Sequence, residues 1–161
     1  MNGYTISTDA TRMDVDLVHA VLAESYWAAG IPRDVVARSI EHSLCFGVFT
    51  DAGEQVAFAR AVTDYATFAY IGDVFVVAAH QGRGLGKWLM RTVMDDPRLQ
   101  GLRRMLLATR DAHGLYEPLG FTPLADPEMF MERWDPEVYR RGNSNHSVGV
   151  STAPGEVHRT G

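Results

Sequence analysis

The sequence has few of the features that mark secreted or membrane proteins. Its 161 residues include a single cysteine, Cys45, so no disulfide can form within the chain. No apolar run approaches the roughly 20 residues that a membrane-spanning helix needs. The amino terminus is polar and is not that of a secretory signal. These absences predict a cytoplasmic protein that contacts no membrane.

Blocks of basic residues are also absent. Lys and Arg total 15 against 20 Asp and Glu, which gives a net charge of −5. A protein that binds nucleic acid usually carries a basic patch, whereas Arg103-Arg104 and Arg140-Arg141 are isolated pairs. The charge therefore predicts no nucleic-acid partner.

What the chain does have is enough apolar residues for one folded domain, since hydrophobic residues make up 46% of it. Cys45 lies in an apolar run, and we interpret it as a buried residue rather than a reactive thiol. After residue 141 the composition shifts to Gly, Asn, Ser, Thr, Pro and His. We predict one domain over 1–141 and a disordered tail over 142–161, with His146 and His158 in solvent and no metal site.

Hydrophobic periodicity predicts two helices and a run of strands in the first half of the chain. Residues 5–7 predict a short first strand. Asp14 is a helix cap followed by apolar residues at helical spacing, and Gly30 would end this helix. Pro32 suits the first turn of a second helix. Segments of high β-propensity then predict an antiparallel meander, at 44–50, 56–63 and 68–77.

In the second half, helices and strands alternate. An amphipathic helix is predicted at 84–95, a short buried strand at 104–108, and a short helix at 112–119 that ends at Gly120. Strand 68–77, the helix after it and strand 104–108 form a βαβ unit, so the two strands should run parallel. The predicted fold class is therefore α/β, of the α+β kind, with a mixed, mostly antiparallel sheet flanked by helices. Two further strands are predicted to complete the sheet, at 121–124 and 129–134.

One loop is rich in glycine where a strand ends and a helix opens. It consists of Gln81, Gly82, Arg83, Gly84, Leu85, Gly86 and Lys87. Glycines let a ligand approach main-chain N–H groups, and a helix start offers free donors and the positive end of its dipole. With the charges of Arg83 and Lys87, these features predict a diphosphate site. The dinucleotide-binding pattern G-x-G-x-x-G does not match, because its third glycine would fall on Lys87. The P-loop pattern G-x-x-x-x-G-K-S/T does not match either, because its first glycine falls on Gln81 and its last position on Trp88.

The loop does match the pattern Arg/Gln-x-x-Gly-x-Gly/Ala, and through it the chain resembles the GNAT superfamily of N-acetyltransferases. The flanks match as well: residues 73–76 are the usual strand before the loop, and 112–121 resembles the family's A-x-x-L-Y-x-x-x-G-F segment. The resemblance covers about residues 4–134. It implies a GNAT-like fold and transfer of an acetyl group from acetyl-CoA to an amine. The alternative is a structural strand–turn–helix connection that holds no ligand.

The resemblance also assigns residues to acetyl-CoA, the co-substrate that it implies. Main-chain groups of Val74, Phe75 and Val76 would pair with the pantetheine arm, and residues 81–87 would hold the pyrophosphate. Where the family often carries an asparagine against the cofactor arm, this chain has Thr109. A threonine hydroxyl can still form a hydrogen bond, but it reaches less far. This departure affects that one contact and does not change the expectation that acetyl-CoA binds.

Two residues are the candidates for acid–base chemistry. Tyr116 matches the family's tyrosine, and a phenol with a pKa of about 10 can protonate the leaving thiolate; otherwise it is a core aromatic. Asp73 is the candidate base, directly or through water, because the acceptor amine must lose a proton; otherwise it is a structural carboxylate in a strand. His113 is a rival base. His80 is expected to pack rather than react.

The resemblance also implies an acceptor pocket, which in this fold is built by the connection between the first two helices and a loop between strands, here residues 26–31 and 64–70. We expect Tyr26, Trp27 and Tyr70 to bind a small-molecule amine by packing and cation–π contact, with Asp64 attracting its ammonium group. The same aromatics could simply belong to the core. Two other functions stay open, a non-catalytic acyl-CoA sensor and acetylation of a protein or peptide amine. Family members can form dimers, which leaves a homodimer open.

Overall fold

A computed structural model describes residues 1–142, in which one mixed sheet lies between helices, as predicted, although it has five strands and not seven. The strands follow one another across the sheet in chain order, and they are β1 (Tyr4–Ser7), β2 (Leu44–Thr50), β3 (Gln55–Thr63), β4 (Phe68–Val76) and β5 (Arg104–Leu106). The helices are α1 (Val15–Glu24), α2 (Arg33–Glu41), α3 (Leu85–Asp95), α4 (His113–Tyr116) and α5 (Val138–Gly142). The predicted tail lies outside the described residues, apart from Gly142.

Strands β1 to β4 form an antiparallel meander, and β4 pairs with β5 in parallel, so the predicted βαβ unit is confirmed. The parallel pairing is short. It joins residues 68–70 of β4 to residues 104–106 of β5 and then stops, although β4 continues to Val76. Strand β5 ends at Leu106, two residues before the predicted end. The remainder of β4 therefore runs on without a partner from β5.

Helix α1 begins where predicted and ends earlier than predicted. Asp14 caps it, since its carboxylate accepts a hydrogen bond from the N–H of Leu17 at 2.9 Å. The expected end at Gly30 is wrong. Ser25 takes an extended conformation with ψ 154°, and its hydroxyl donates to the carbonyl of Leu22 at 2.7 Å. The helix therefore stops at Glu24, and the aromatic residues that follow lie in the connection to α2.

The core lies on both faces of the sheet. On one face, α3 buries Leu85, Leu89, Met90 and Val93, each contributing about 1.5–3 kcal/mol by leaving water. On the other face, α1 and α2 pack against side chains that alternate with the first set along the strands. Covering both faces explains why β2 is apolar at nearly every position. Cys45 is buried there, and burial raises the pKa of its thiol to about 12.

The two strands predicted at 121–124 and 129–134 are wrong. The first segment is irregular, and the second follows a 3-10 turn at Pro127–Met129 without joining the sheet. Pro123, within the first segment, offers no N–H group to a neighbouring strand. Met131 is 98% exposed and Trp134 is 74% exposed, so the segment has no buried face to favour pairing. Among the described residues, β5 therefore remains the edge of the sheet.

The short helix predicted at 112–119 is present in two parts. Helix α4 continues as a 3-10 turn, Glu117–Leu119, and the chain then leaves the helical conformation at Gly120, whose φ is 91°. That left-handed conformation favours glycine, so the predicted end is confirmed. Within residues 1–142, no helix is long and apolar enough to cross a membrane.

Candidate active site

Asp73 lies at an irregular point of β4 that turns its side chain out of the normal strand pattern. The register between β3 and β4 shifts between Phe58 and Arg60, and Asp73 has a φ of 56°. Aspartate tolerates this left-handed conformation better than most residues with a side chain. The bulge is the physical reason for an aspartate in the middle of a strand.

Both carboxylate oxygens of Asp73 accept hydrogen bonds. Oδ2 accepts one from Nε of Arg60 at 2.8 Å, and Oδ1 accepts one from the indole N–H of Trp27 at 3.3 Å. Arg60 is held in turn, since Nη1 donates to the hydroxyl of Ser43 at 3.2 Å. The side chains of Arg60 and Asp73 are only 20% and 11% exposed. The pair is therefore an ion pair in a partly dehydrated place, where removing one partner is costly.

A cleft of about 310 Å³ opens beside this ion pair. It brings together both predicted catalytic residues and all three predicted acceptor residues. Val74 and Thr109, which the resemblance assigns to acetyl-CoA, also line it. Its walls include Tyr26, Trp27, Tyr70, Asp73, Val74, Thr109, Arg110, Asp111 and Tyr116.

Tyr116 stands in this cleft with most of its ring buried. It meets Phe121 edge to face, with ring centroids 6.0 Å apart. Burial, followed by the nearby Tyr26, Asp111 and Tyr70, raises the pKa of Tyr116 to about 12. The phenol is therefore protonated at neutral pH, which is the state that a proton donor needs.

Two other residues considered in the sequence lie elsewhere. His113, the rival base, lines a neighbouring cavity of about 300 Å³ and not the cleft that holds Asp73. Asp64 does not line the cleft either. Its carboxylate accepts hydrogen bonds from the hydroxyl of Thr67 and from the N–H groups of Ala66, Thr67 and Phe68, and these bonds lower its pKa. The expectation that Asp64 attracts an ammonium group is wrong, because this carboxylate stabilises the turn before β4.

Arg110 and Asp111 are parts of the cleft that the sequence reasoning missed. The main-chain N–H of Arg110 donates to the hydroxyl of Tyr26 at 3.3 Å, and its guanidinium lies 4.6 Å from the centre of the Tyr26 ring. These contacts join the α1–α2 connection to the β5–α4 connection across the cleft. Both residues are in a loop without periodicity, where the sequence carries no signal of a contact 84 residues away.

Arg60 was also missed, although a signal for it exists. It lies in β3 among apolar residues, five of which are fully or almost fully buried. A charge in such a strand requires a partner, because lone charges are rarely buried. Asp73 is the acidic residue within β4, the adjacent strand.

The glycine-rich loop forms a second concave site of about 490 Å³ at the start of α3, which we call the cradle. Gly82 and Gly84 have φ values of 74° and 79°, which side chains disfavour. The cradle is lined by Val76, His80, Gln81, Gly82, Gly84, Leu85, Gly86, Lys87 and Leu115. Six of the seven predicted loop residues therefore line one site at a helix start.

Arg83 is the exception. Its Nη1 donates to the hydroxyl of Tyr4 at 3.1 Å and its Nη2 to the carbonyl of Ala79 at 3.3 Å. The side chain is thus turned back toward β1. Gln81 also has a local bond, since Nε2 donates to the carbonyl of Val76 at 2.9 Å.

Strand β4 connects the two sites. Val74 lines the cleft and Val76 lines the cradle, and residues two apart on a strand face the same side. Phe75, between them, points the other way and packs against Phe58 in the core. Because β5 has already ended, this stretch of β4 lies open between the two sites. The arrangement has room for a long ligand with one end in the cradle and the other in the cleft.

The family follows from a direct comparison. The model of the acetyltransferase (GNAT) family matches residues 15–121. The chain therefore belongs to the GNAT family of acetyltransferases, enzymes that use acetyl-CoA as co-substrate. The predicted family, fold class and enzyme class are confirmed.

Individual relatives agree. A GNAT-family protein from Xanthomonas campestris has a crystal structure with a TM-score of 0.83 and 55% identity, covering 86% of this chain and 98% of its own. A protein of Gibberella zeae named an acetyltransferase is 32% identical over 70% of this chain and 75% of its own length. Serotonin N-acetyltransferase 2 of Oryza sativa, named as chloroplastic, is 34% identical over 78% of this chain. The chain spans 64% of that relative's length, and its own location in the cell stays a prediction.

Proposed function

We propose that this chain transfers the acetyl group of acetyl-CoA to the primary amine of a small molecule, by direct attack within a ternary complex. One observation carries the proposal. An aromatic cleft with Tyr116 and Asp73 in its wall lies along the same face of β4 as a glycine-rich cradle. The first site has the groups for acetyl transfer, and the second has those for binding a diphosphate.

Acetyl-CoA would lie along the open part of β4. Main-chain groups of Val74, Phe75 and Val76 would pair with the amides of the pantetheine arm, with Thr109 alongside. The N–H groups of residues 81–87 and the positive end of α3 would bind the diphosphate. Lys87 adds a charge in the wall of the cradle. We assign Arg83 to this set through its main chain, since its side chain is bonded to Tyr4 and Ala79.

The reaction joins the acceptor nitrogen to the acetyl carbon and breaks the carbon–sulfur bond. The ammonium form of the acceptor loses a proton to Asp73, directly or through water, and the free amine attacks the thioester. Main-chain N–H groups of β4 would stabilise the oxyanion that forms. The carbon–sulfur bond then breaks and Tyr116 gives its proton to the departing thiolate, while the proton still carried by the acylated nitrogen is lost and, through water, restores the phenol. Asp73 can serve although it already accepts two hydrogen bonds, because a carboxylate has about four acceptor positions.

The acceptor is a primary amine that carries an aromatic or other apolar group. Tyr26, Trp27 and Tyr70 offer ring faces for such a group. The carboxylates of Asp73 and Asp111 favour an ammonium group at the cleft wall. The name of the Oryza sativa relative, a serotonin N-acetyltransferase, supports testing aromatic amines first.

A thiol-release assay with a panel of amines tests the proposal, with mass spectrometry to detect the acetylated product. The panel contains serotonin, tryptamine, phenylethylamine, a polyamine and a lysine peptide. We expect aromatic amines to give the highest kcat/KM and Tyr116→Phe to lower kcat. Acetylation of the peptide alone would replace the small-molecule acceptor by a protein one. Binding of acetyl-CoA without acetylation of any amine would favour a non-catalytic sensor.

A further inference from the structure

The hydroxyl of Tyr4 joins the first strand to the cradle. It lies 2.8 Å from Nδ1 of His80, and it accepts a hydrogen bond from Nη1 of Arg83 at 3.1 Å. The rings of Tyr4 and His80 meet edge to face at 5.8 Å. We call these three residues the Tyr4 cluster. They connect two parts of the chain that are nearly 80 residues apart.

The bonds of the Tyr4 cluster bear on which nitrogen of His80 carries the proton. A guanidinium only donates, so the oxygen of Tyr4 is the acceptor toward Arg83. The hydroxyl hydrogen of Tyr4 is then free to be donated, and Nδ1 of His80 is the acceptor within reach. Neutral imidazole with an accepting Nδ1 carries its proton on Nε2. We assign the Nε2–H tautomer to His80 because it lets the Tyr4 oxygen accept from Arg83 while its hydroxyl donates to Nδ1.

The Nε2–H group has no role in holding the fold. Within residues 1–142 it has no hydrogen-bond partner, and it is not among the buried unsatisfied groups, of which this part of the chain has none. His80 itself lines the cradle with Gly82, Gly84 and Lys87. His80 thus lines a site built from donors and has one ring nitrogen without a partner among the described residues.

We propose that His80 binds the diphosphate of acetyl-CoA, donating a hydrogen bond from Nε2–H to a phosphate oxygen. Tyr4 is a positioning residue that selects this tautomer and holds the side chain of Arg83 outside the cradle. The inference rests on the proposed function, because it needs acetyl-CoA as the ligand. It replaces the expectation that His80 only packs.

Calorimetry with two acetyl donors tests the inference. His80→Phe keeps an aromatic ring at this position and removes both nitrogens. Losing one hydrogen bond to a charged oxygen should raise the Kd for acetyl-CoA about 10-fold or more. Acetyl-pantetheine has the thioester arm but no phosphate, so its Kd should not change. A melting curve like that of the wild type would show that the fold is kept.

The role of Tyr4 is tested by Tyr4→Phe alone and together with His80→Phe. We expect Tyr4→Phe to raise the Kd for acetyl-CoA about 3-fold, and to have no further effect once His80 is replaced. Tyr65→Phe is the matched control, since the Tyr65 hydroxyl has no hydrogen bond within the described residues and lies outside the cradle.

Two results would overturn the inference while leaving the proposed function intact. One is an unchanged Kd for acetyl-CoA in His80→Phe, which would make His80 a packing residue. The other is an equal loss for acetyl-CoA and acetyl-pantetheine, which would make its role structural. If the wild-type chain bound no acetyl-CoA, the proposed function itself would fail and the inference with it.

Discussion

Three substitutions of Asp73 separate the two contributions that this residue makes to stability. One is its ion pair with Arg60, and the other is its tolerance of a φ of 56°. Asp73→Asn removes the charge, but asparagine still tolerates the left-handed conformation. Asp73→Gly removes the whole side chain, and glycine also tolerates that conformation. Asp73→Ala removes the ion pair and puts a residue there that does not tolerate it. The expected order of stability is therefore Asn, then Gly, then Ala.

The magnitudes follow from the surroundings. Breaking a fully buried ion pair costs about 3–5 kcal/mol, and this pair retains some contact with water, so Asp73→Asn should lower the free energy of unfolding by about 1–2 kcal/mol. Asp73→Ala adds about 1–2 kcal/mol for a left-handed alanine. Urea unfolding at neutral pH, followed by circular dichroism, measures each difference.

Kinetics on the same variants test the chemical role of Asp73. If it is the base, Asp73→Asn should lower kcat about 100-fold, measured at a temperature where the variant, despite its lower stability, is fully folded. Matched stabilities of Asp73→Ala and Asp73→Gly would refute the backbone argument. A normal kcat in Asp73→Asn would refute the catalytic one and leave Asp73 as a structural partner of Arg60 and Trp27.

Three further predictions concern Tyr116, Cys45 and Arg110. Because folding raises the pKa of Tyr116 to about 12, the unfolded chain loses this proton at a lower pH than the folded chain, and stability should fall between about pH 10 and 12. Melting curves at alkaline pH should show a smaller fall for Tyr116→Phe. The same fall in both proteins would contradict the raised pKa of Tyr116. Cys45 has a buried side chain and a thiol with a raised pKa, so it should react with a thiol reagent only after the chain unfolds. Fast labelling of Cys45 in the folded protein would contradict its burial. Arg110→Ala should raise KM for the acceptor about 3-fold and leave the Kd for acetyl-CoA unchanged, because Arg110 contacts Tyr26 in the cleft wall and does not line the cradle.

The sequence predicted best the elements whose signals are local and periodic. The apolar pattern after Gly84, the high β-propensity of 68–77 and the spacing of the glycines all act within one element, so the βαβ unit and the cradle could be inferred. The end of α1 could not, because Ser25 and Tyr26 continue the helical spacing while a hydroxyl bond to Leu22 ends the helix. That difference of a few residues moves Tyr26 from a helix face to the edge of the cleft.

Features that depend on distant contacts were missed for a different reason. The segment 129–134 has strand-like residues, but a strand also needs a partner and a buried face, which its exposed side chains do not have. The orientation of Arg83 depends on Tyr4, and the place of Arg110 depends on Tyr26, each about 80 residues away. Charge and spacing near the loop predict a positive site but not which positive side chain faces it.

The central claim is that the glycine-rich cradle binds acetyl-CoA, and calorimetric titration of three proteins tests it most directly. Gly84→Glu puts a bulky, negative side chain at a left-handed position inside the cradle, and Gly53→Glu places the same side chain at a left-handed position, φ 85°, in the β2–β3 turn. We predict that the wild type and Gly53→Glu bind acetyl-CoA, whereas Gly84→Glu does not. Binding that survives in Gly84→Glu, or none in the wild type, would contradict the account.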